Sequence, residues 1–226
     1  MPLISLRGVK KSHRLGEIEV QALSGVDLDI ESGEFALLMG PSGSGKSTLL
    51  SILGCLDAPS AGTYEFDGKQ VGGGDHNQWA ALRAGQLGFV FQSFNLVPVL
   101  SAKENVELPM LWAANRRSAK ECDARARALL ATVGIGDLAD RRPTQMSGGQ
   151  QQRVAIARAL ANQPKVLLAD EPTANLDSES AELILKTLKQ LNEQNGVSII
   201  IATHDPKLLQ YSKRVIRVHD GSVSDA

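Results

Sequence analysis

A chain of 226 residues, 42% of them hydrophobic, has the size of one globular domain, with room for an insertion. Its 24 basic and 25 acidic residues leave a net charge of −1, so no basic field marks it for nucleic acid. Its apolar runs, such as Ile199-Ile-Ile-Ala202, are far short of the roughly 20 residues of a membrane span. Met1-Pro-Leu-Ile-Ser-Leu-Arg7 lacks the apolar core of a secretory signal, so a membrane role is expected to come through a partner. Cys55 and Cys122 have neither CxxC spacing nor nearby histidines and read as structural thiols in a reducing cytoplasm.

Leu3-Ile-Ser-Leu-Arg-Gly-Val9 and Val26-Asp-Leu-Asp-Ile30 alternate like strands, the second with Val26, Leu28 and Ile30 inward and Asp27 and Asp29 outward. A turn at Glu31-Ser-Gly-Glu34 feeds Glu34-Phe-Ala-Leu-Leu-Met39, which has the length of a buried strand. Next comes Gly40-Pro41-Ser42-Gly43-Ser44-Gly45-Lys46-Ser47-Thr48, with the spacing G-x-x-x-x-G-K-[ST]. Thr48-Leu-Leu-Ser-Ile-Leu53 behind it reads as a helix. Strand, glycine loop and helix form a phosphate site: backbone N–H groups turn inward and the helix N-terminus adds partial positive charge. Lys46 can reach β- and γ-phosphates, and the Ser47 hydroxyl can ligate Mg²⁺.

Gly62-Thr-Tyr-Glu-Phe-Asp-Gly68 is a short strand ending in an Asp-Gly turn. Val71-Gly-Gly-Gly-Asp75 lacks a following lysine and helix and reads as a flexible connection. Leu87-Gly-Phe-Val-Phe-Gln92 is a buried strand ending in glutamine. From there the composition turns helical. Ser101-Ala-Lys-Glu104 and Ser118-Ala-Lys-Glu121 fit capping boxes, Gly134 closes the second helix, and a third starts at Ser147. Residues 93–162 are thus expected as a helical insertion in an α/β core made of 1–92 and 163–226. Lys165-Val-Leu-Leu-Ala-Asp170 returns to a strand, and Leu183, Ile184, Leu188 and Leu191 form one face of a helix ending at Gly196. Val197-Ser-Ile-Ile-Ile-Ala202 and Val215-Ile-Arg-Val218 are further strands. This alternation implies a mostly parallel sheet with antiparallel N-terminal strands beside it.

Asp170 at its strand end can stand beside a metal on Ser47, and Glu171 just past it can polarise an attacking water. The same pair also suits plain turn chemistry. In Met146-Ser-Gly-Gly-Gln-Gln-Gln-Arg153, Ser147 and Gln150 make a capping box. Gly148 and Gly149 each cost the helix roughly 1 kcal/mol relative to alanine, which makes sense if backbone N–H groups approach something closely. A second phosphate end, reached by two copies head to tail, is the candidate. Thr203-His-Asp205 follows a buried strand, where open α/β sheets bind ligands. His76 and His219 read as polar turn residues. Phe94, Leu96, Val97, Val99 and Leu100 are too apolar for an ordinary loop and either fill a small core or floor a groove.

The phosphate loop, Gln92, Ser147-Gly-Gly-Gln150, Asp170-Glu171, Asn175-Leu-Asp177 and His204, in this order, resemble an ABC-transporter ATPase subunit over essentially the whole chain. Ser51-Ile-Leu-Gly-Cys-Leu-Asp57, Phe89-Val-Phe-Gln-Ser-Phe-Asn-Leu96 and Asp170-Glu-Pro-Thr-Ala-Asn-Leu-Asp177 resemble the branch of bacterial lipoprotein-releasing, macrolide-export and cell-division ATPases. The resemblance implies a P-loop NTPase core with an N-terminal antiparallel β subdomain and an inserted α-helical subdomain. It implies ATP bound by residues 40–48, and Mg²⁺ held by Ser47, Gln92 and Asp170. Glu171 and His204 would be catalytic. Ser147, Gly148, Gly149 and Gln150 would meet the γ-phosphate of an opposite copy, and Asp177 would signal across that homodimer. Integral membrane permease subunits would be the further partners, holding the chain at the cytoplasmic face of the inner membrane, and the groove would take a short permease helix. Two positions depart from the pattern. His13, in Lys10-Lys-Ser-His13, stands where the family usually stacks a tyrosine on adenine, and Ala174 stands where near relatives often have glycine.

The expectation is an ATPase that drives lipoprotein release or macrolide- or peptide-type export. The alternative is a signalling module of the cell-division type, acting on a membrane protein without translocation. DNA repair would call for a long coiled coil or a second cassette, and the sequence contains neither.

Overall fold

A computed structural model of the chain describes residues 1–16, 18–71, 76–111 and 117–225. Its first two strands are longer than their alternating segments suggest. β1 (Ile4–Leu15) and β2 (Ile18–Ile30) pair antiparallel from Ile4 opposite Ile30 to Leu15 opposite Ile18. Register shifts between Leu6 and Val9, Val9 and Lys10, and Lys11 and Ser12 break the two-residue period, which hid their far halves from a pattern reading. β3 (Phe35–Met39) leads into the glycine loop and α1 (Lys46–Leu53). β4 (Ala61–Phe66) and β5 (Lys69–Val71) complete an antiparallel sheet of order β2-β1-β4-β5. The glycines expected to make a flexible connection after Val71 lie outside the described residues.

α2 (His76–Gln86) was not legible. Trp79 is its one buried side chain among those described, too few to set a 3.6-residue period. β6 (Leu87–Val90) ends two residues before Gln92, so that glutamine lies in the loop instead of closing the strand. α3 (Ala102–Leu111), α4 (Ala119–Thr132) and α5 (Gly148–Ala159) follow. Both expected capping boxes form: Glu104 and Glu121 each accept from the serine N–H at 2.7 Å, and each serine Oγ accepts in return. β7 (Val166–Asp170), α6 (Ser178–Asn195), β8 (Ser198–Thr203), β9 (Arg214–His219) and β10 (Ser222–Asp225) complete the chain. The last strand is mostly polar and carries no apolar alternation to mark it. His76 opens α2 and His219 closes β9, so neither is a turn residue.

The second sheet runs β10-β9-β3-β8-β7-β6, with every pair parallel except β9 and β10. It is covered on both faces, and its strands divide between two cores by alternation. Leu37, Leu167, Ala169, Ile199 and Ile201 join the helices α3 to α6. Ala36, Leu38, Val166, Leu168, Ile200 and Ala202 join α1 and the antiparallel sheet. On α6 the buried stripe is Ile184, Leu185, Leu188 and Leu191; Leu183, expected inward, is turned to solvent because it lies one residue off that face. Both cysteines are free and buried, and burial pushes the Cys55 thiol up to about 11.

Asn105, fully buried on α3, ties the loop after Gln92 to the helices. Its Oδ1 accepts from Val97 N at 2.7 Å, and its Nδ2 donates to the carbonyls of Val97, Leu100 and Ser101. Asn105→Ala removes these bonds from a fully buried position, so it should lower unfolding free energy by about 1–3 kcal/mol, read as an earlier urea midpoint.

Candidate functional site

The glycine loop closes tightly on its own domain. At Gly45 φ is 106°, and an added Cβ would lie 2.7 Å from Ala22 O, so both conformation and space demand glycine. Lys46 is buried and its Nζ donates to Gly40 O and Pro41 O at 2.8 Å each, which holds the ammonium over the loop. Ser44 is buried as well, and its Oγ has no protein partner among the described residues. Pro41, Ser42, Gly43 and Ser47 are exposed around this rim, and Thr48 is half-buried.

Ser47 Oγ donates to Asp170 Oδ1 at 3.3 Å, which joins the first turn of α1 to the end of β7. Burial raises the Asp170 carboxyl above its ordinary range; the Ser47 hydrogen bond opposes this, and the charge on Glu171 adds to it. A hydroxyl oxygen and a carboxylate whose charge lacks solvation fit a hard cation such as Mg²⁺. Among the described residues no three His, Cys, Asp or Glu side chains could hold a metal, as suits an ion that takes its other ligands from phosphate and water.

β7 and β8 are neighbours, with Asp170 opposite Ala202, so the residues just past them meet. His204 Nδ1 lies 2.6 Å from Glu171 Oε1, and Thr203 Oγ1 donates to Oε2 at 3.1 Å. Both carboxylate oxygens are therefore pinned. The backbone of Glu171 is unusual too, with φ of 44°, and its N–H donates to Ala202 O at 2.9 Å. A cleft of about 720 Å³ opens beside the pair, with Thr173, Lys207 and Gln210 on its walls.

Gln92 is exposed, and its carbonyl accepts from Asn175 Nδ2 at 3.0 Å. Phe94 and Asn95 follow in left-handed conformations, and Arg158 on α5 donates to both their carbonyls. Leu96 packs on the core while Val97 and Val99 are exposed, the latter by 70%, so the apolar stretch fills the core only in part. Arg158 had no local sequence signal, because its acceptors lie more than 60 positions away.

At the start of α5, Ser147 Oγ accepts from Gln150 N at 3.3 Å and Gln150 Oε1 accepts from Ser147 N at 3.0 Å. The two glycines prove unlike. A Cβ on Gly149 would come within 2.8 Å of Ser180 Oγ, so the close approach of α6 by itself favours glycine there. A Cβ on Gly148 would meet nothing nearer than 3.6 Å, so packing within the chain does not explain that glycine. The nearest atoms at this helix end belong to Phe94, Asn175, Leu176 and Ser180, not to the glycine loop. Asp177 caps α6, accepting from Ser180 N at 2.9 Å, and that bond holds its carboxyl below the usual range. The Asp-x-x-Ser spacing is the sequence signal for this cap. His13 is exposed on β1, opposite Val20.

The raised Asp170 carboxyl has a thermodynamic sign. The folded chain holds its proton more tightly than the unfolded one, so stability falls as pH rises from the ordinary value of 3.8 through the raised one. Asp170→Asn should therefore melt higher than the parent near pH 7 without nucleotide or metal, in scanning calorimetry. A lower melting temperature would show that the carboxylate stabilises this fold.

A sequence model of the family described as ABC transporter matches residues 23–174. MacB of Syntrophobacter fumaroxidans, a macrolide export ATP-binding/permease protein, is 52% identical over 99% of this chain, which spans 31% of that relative. The chain thus covers only about a third of the macrolide export proteins it resembles. YknY of Bacillus subtilis, an uncharacterized ABC transporter ATP-binding protein, is 45% identical over 99% of this chain and 96% of its own length. Among solved structures, the dimeric cassette MJ0796 of Methanocaldococcus jannaschii matches with a TM-score of 0.91 at 45% identity, over 98% of this chain and 96% of that one. The same cassette is known as a post-hydrolysis dimer bound to ADP and phosphate, again with a TM-score of 0.91. The expected fold, a P-loop core with an antiparallel β subdomain and added helices, is the one observed. The chain belongs to the ABC transporter family and is an ABC-type ATPase domain of the branch that includes MacB, YknY and MJ0796.

Proposed function

We propose that this domain binds ATP with Mg²⁺, closes on a second copy of itself, and hydrolyses the nucleotide to drive a membrane permease. The observation that carries this reading is the pinned Glu171 carboxylate beside the Ser47–Asp170 oxygen pair. Lys46 exchanges its two loop carbonyls for β- and γ-phosphate oxygens, and the α1 N-terminus adds its dipole. Ser47 and Asp170, with Gln92, hold Mg²⁺, which when bound neutralises phosphate charge. Glu171 accepts the proton of the attacking water. His204 and Thr203 orient the carboxylate so that its free lone pairs face that water. His204, exposed at the strand end, also meets the γ-phosphate. Ser147, Gly148 and Gly149 present backbone N–H groups to the nucleotide of the opposite copy, which accounts for the glycine that internal packing leaves unexplained. The dimeric cassettes of MJ0796 support this pairing.

The relatives that combine ATP-binding and permease segments in one chain support a permease as the membrane partner, and export of a macrolide- or peptide-like cargo or of a lipoprotein as the work done. The chain would then lie at the cytoplasmic face of the membrane through that permease. A cleft of about 390 Å³ between α2, β6, α3 and α5, walled by Phe89, Phe91 and Pro109, suits a short permease helix.

Glu171→Gln keeps the side chain's shape and removes the base. Hydrolysis should fall about 10²- to 10⁴-fold while ATP still binds, and an ATP-loaded dimer should accumulate in light scattering. Normal turnover would remove Glu171 from its role. Val99→Asp alters an exposed residue of the loop that continues from the cleft's Asn95, so the isolated domain should keep its ATPase rate while stimulation by the co-expressed permease drops. Unchanged stimulation would place the permease elsewhere.

A further inference from the structure

Gln152 is a fully buried polar side chain on α5, and the turn that follows it, Val154, Ala155, Ile156 and Ala157, is apolar and buried. Its Nε2 donates to Pro172 O at 2.6 Å, twenty residues along the chain, and its Oε1 is buried without a protein partner among the described residues. Leucine or methionine would fill the same space without an unsatisfied acceptor, so packing alone does not account for a glutamine here. Among the described residues, its side-chain hydrogen bond goes to the residue that follows Glu171.

That residue needs holding. Glu171 sits at φ of 44° directly before a proline, whereas a residue in that position is driven toward extended backbone. Its carboxylate is clamped by Thr203 and His204, and its N–H by Ala202 O. The Gln152 bond clamps the peptide that follows Pro172. Five residues before Gln152 on the same helix stands Ser147, at the end that the reading above directs to the opposite copy's nucleotide.

We propose that Gln152 is a positioning residue for hydrolysis: through Pro172 O it sets the backbone from which Glu171 reaches the attacking water, and so makes alignment of the base depend on the placement of α5. The proposal rests on Glu171 being the base. It adds that part of the catalytic geometry is set outside the nucleotide site, by a residue that touches neither phosphate nor metal.

Gln152→Met keeps the volume and removes the donor. ATP affinity and KM should stay at the parent values, while kcat falls about tenfold, the rate equivalent of one net hydrogen bond. ATP should still drive dimerisation, and adding the substitution to Glu171→Gln should cause little further loss of kcat, since both act through the same carboxylate. Measurements in saturating ATP keep a weakened fold assembled. A parent-like kcat would overturn the proposal, as would equal losses in kcat and ATP affinity. A variant that fails to fold even with ATP would also overturn it, by assigning Gln152 to the core. Failure of the underlying reading shows separately, as full activity in Glu171→Gln.

Discussion

The site depends on three adjacent parallel strands ending at one edge of a sheet that is buried on both faces. β3, β8 and β7 are hydrogen-bonded in that order, with Met39 opposite Thr203 and Asp170 opposite Ala202. The chain leaves all three at the same level, so the glycine loop, His204 and Glu171 converge although they are widely separated in sequence. A one-residue slip between β7 and β8 would exchange the faces of every strand side chain and move Glu171 away from His204. The apolar alternation that divides Ile199 and Ile201 from Ile200 and Ala202 therefore sets catalytic geometry as well as stability.

Around this edge the chain satisfies its polar side chains on backbone carbonyls. Lys46 bonds carbonyls of its own loop, Asn105 those of residues 97–101, Arg158 those of Phe94 and Asn95, and Asn175 that of Gln92. The loops after β6 and β7 are thus tied to each other and to α5 by hydrogen bonds to carbonyls. Such bonds hold a loop's path while leaving the side chains of Gln92 and His204 exposed for a ligand.

Local features were legible in the sequence, and long-range partners were not. The phosphate loop, the capping boxes at Ser101, Ser118 and Ser147, and the carboxylates after β7 are short motifs whose chemistry is carried by neighbouring residues. The close pairing of Glu171 with His204, 33 positions apart, follows from strand order, which composition does not encode. Asn105, Gln152 and Arg158 look like ordinary helix residues until the carbonyls they serve are known. Bulges hid the length of the first hairpin, and a helix burying little besides Trp79 left no period to detect. Gly149 adds a demand that no local pattern announces: an added Cβ there would come within 2.8 Å of Ser180 Oγ on the neighbouring helix α6.

The buried thiols carry a chemical consequence. With the Cys55 group raised to about 11, only about one molecule in ten thousand holds the thiolate near pH 7, and the thiolate is the form that alkylating agents and oxidants attack. Its sulfur lies in the core shared by α1 and the antiparallel sheet, and Cys122 lies in the core shared by α3 to α6. The two cysteines therefore tag separate halves of the molecule, silent while each core is closed and reactive when it opens. The order in which a mild thiol reagent labels them gives the order in which the halves loosen, without any foreign probe being built into the chain.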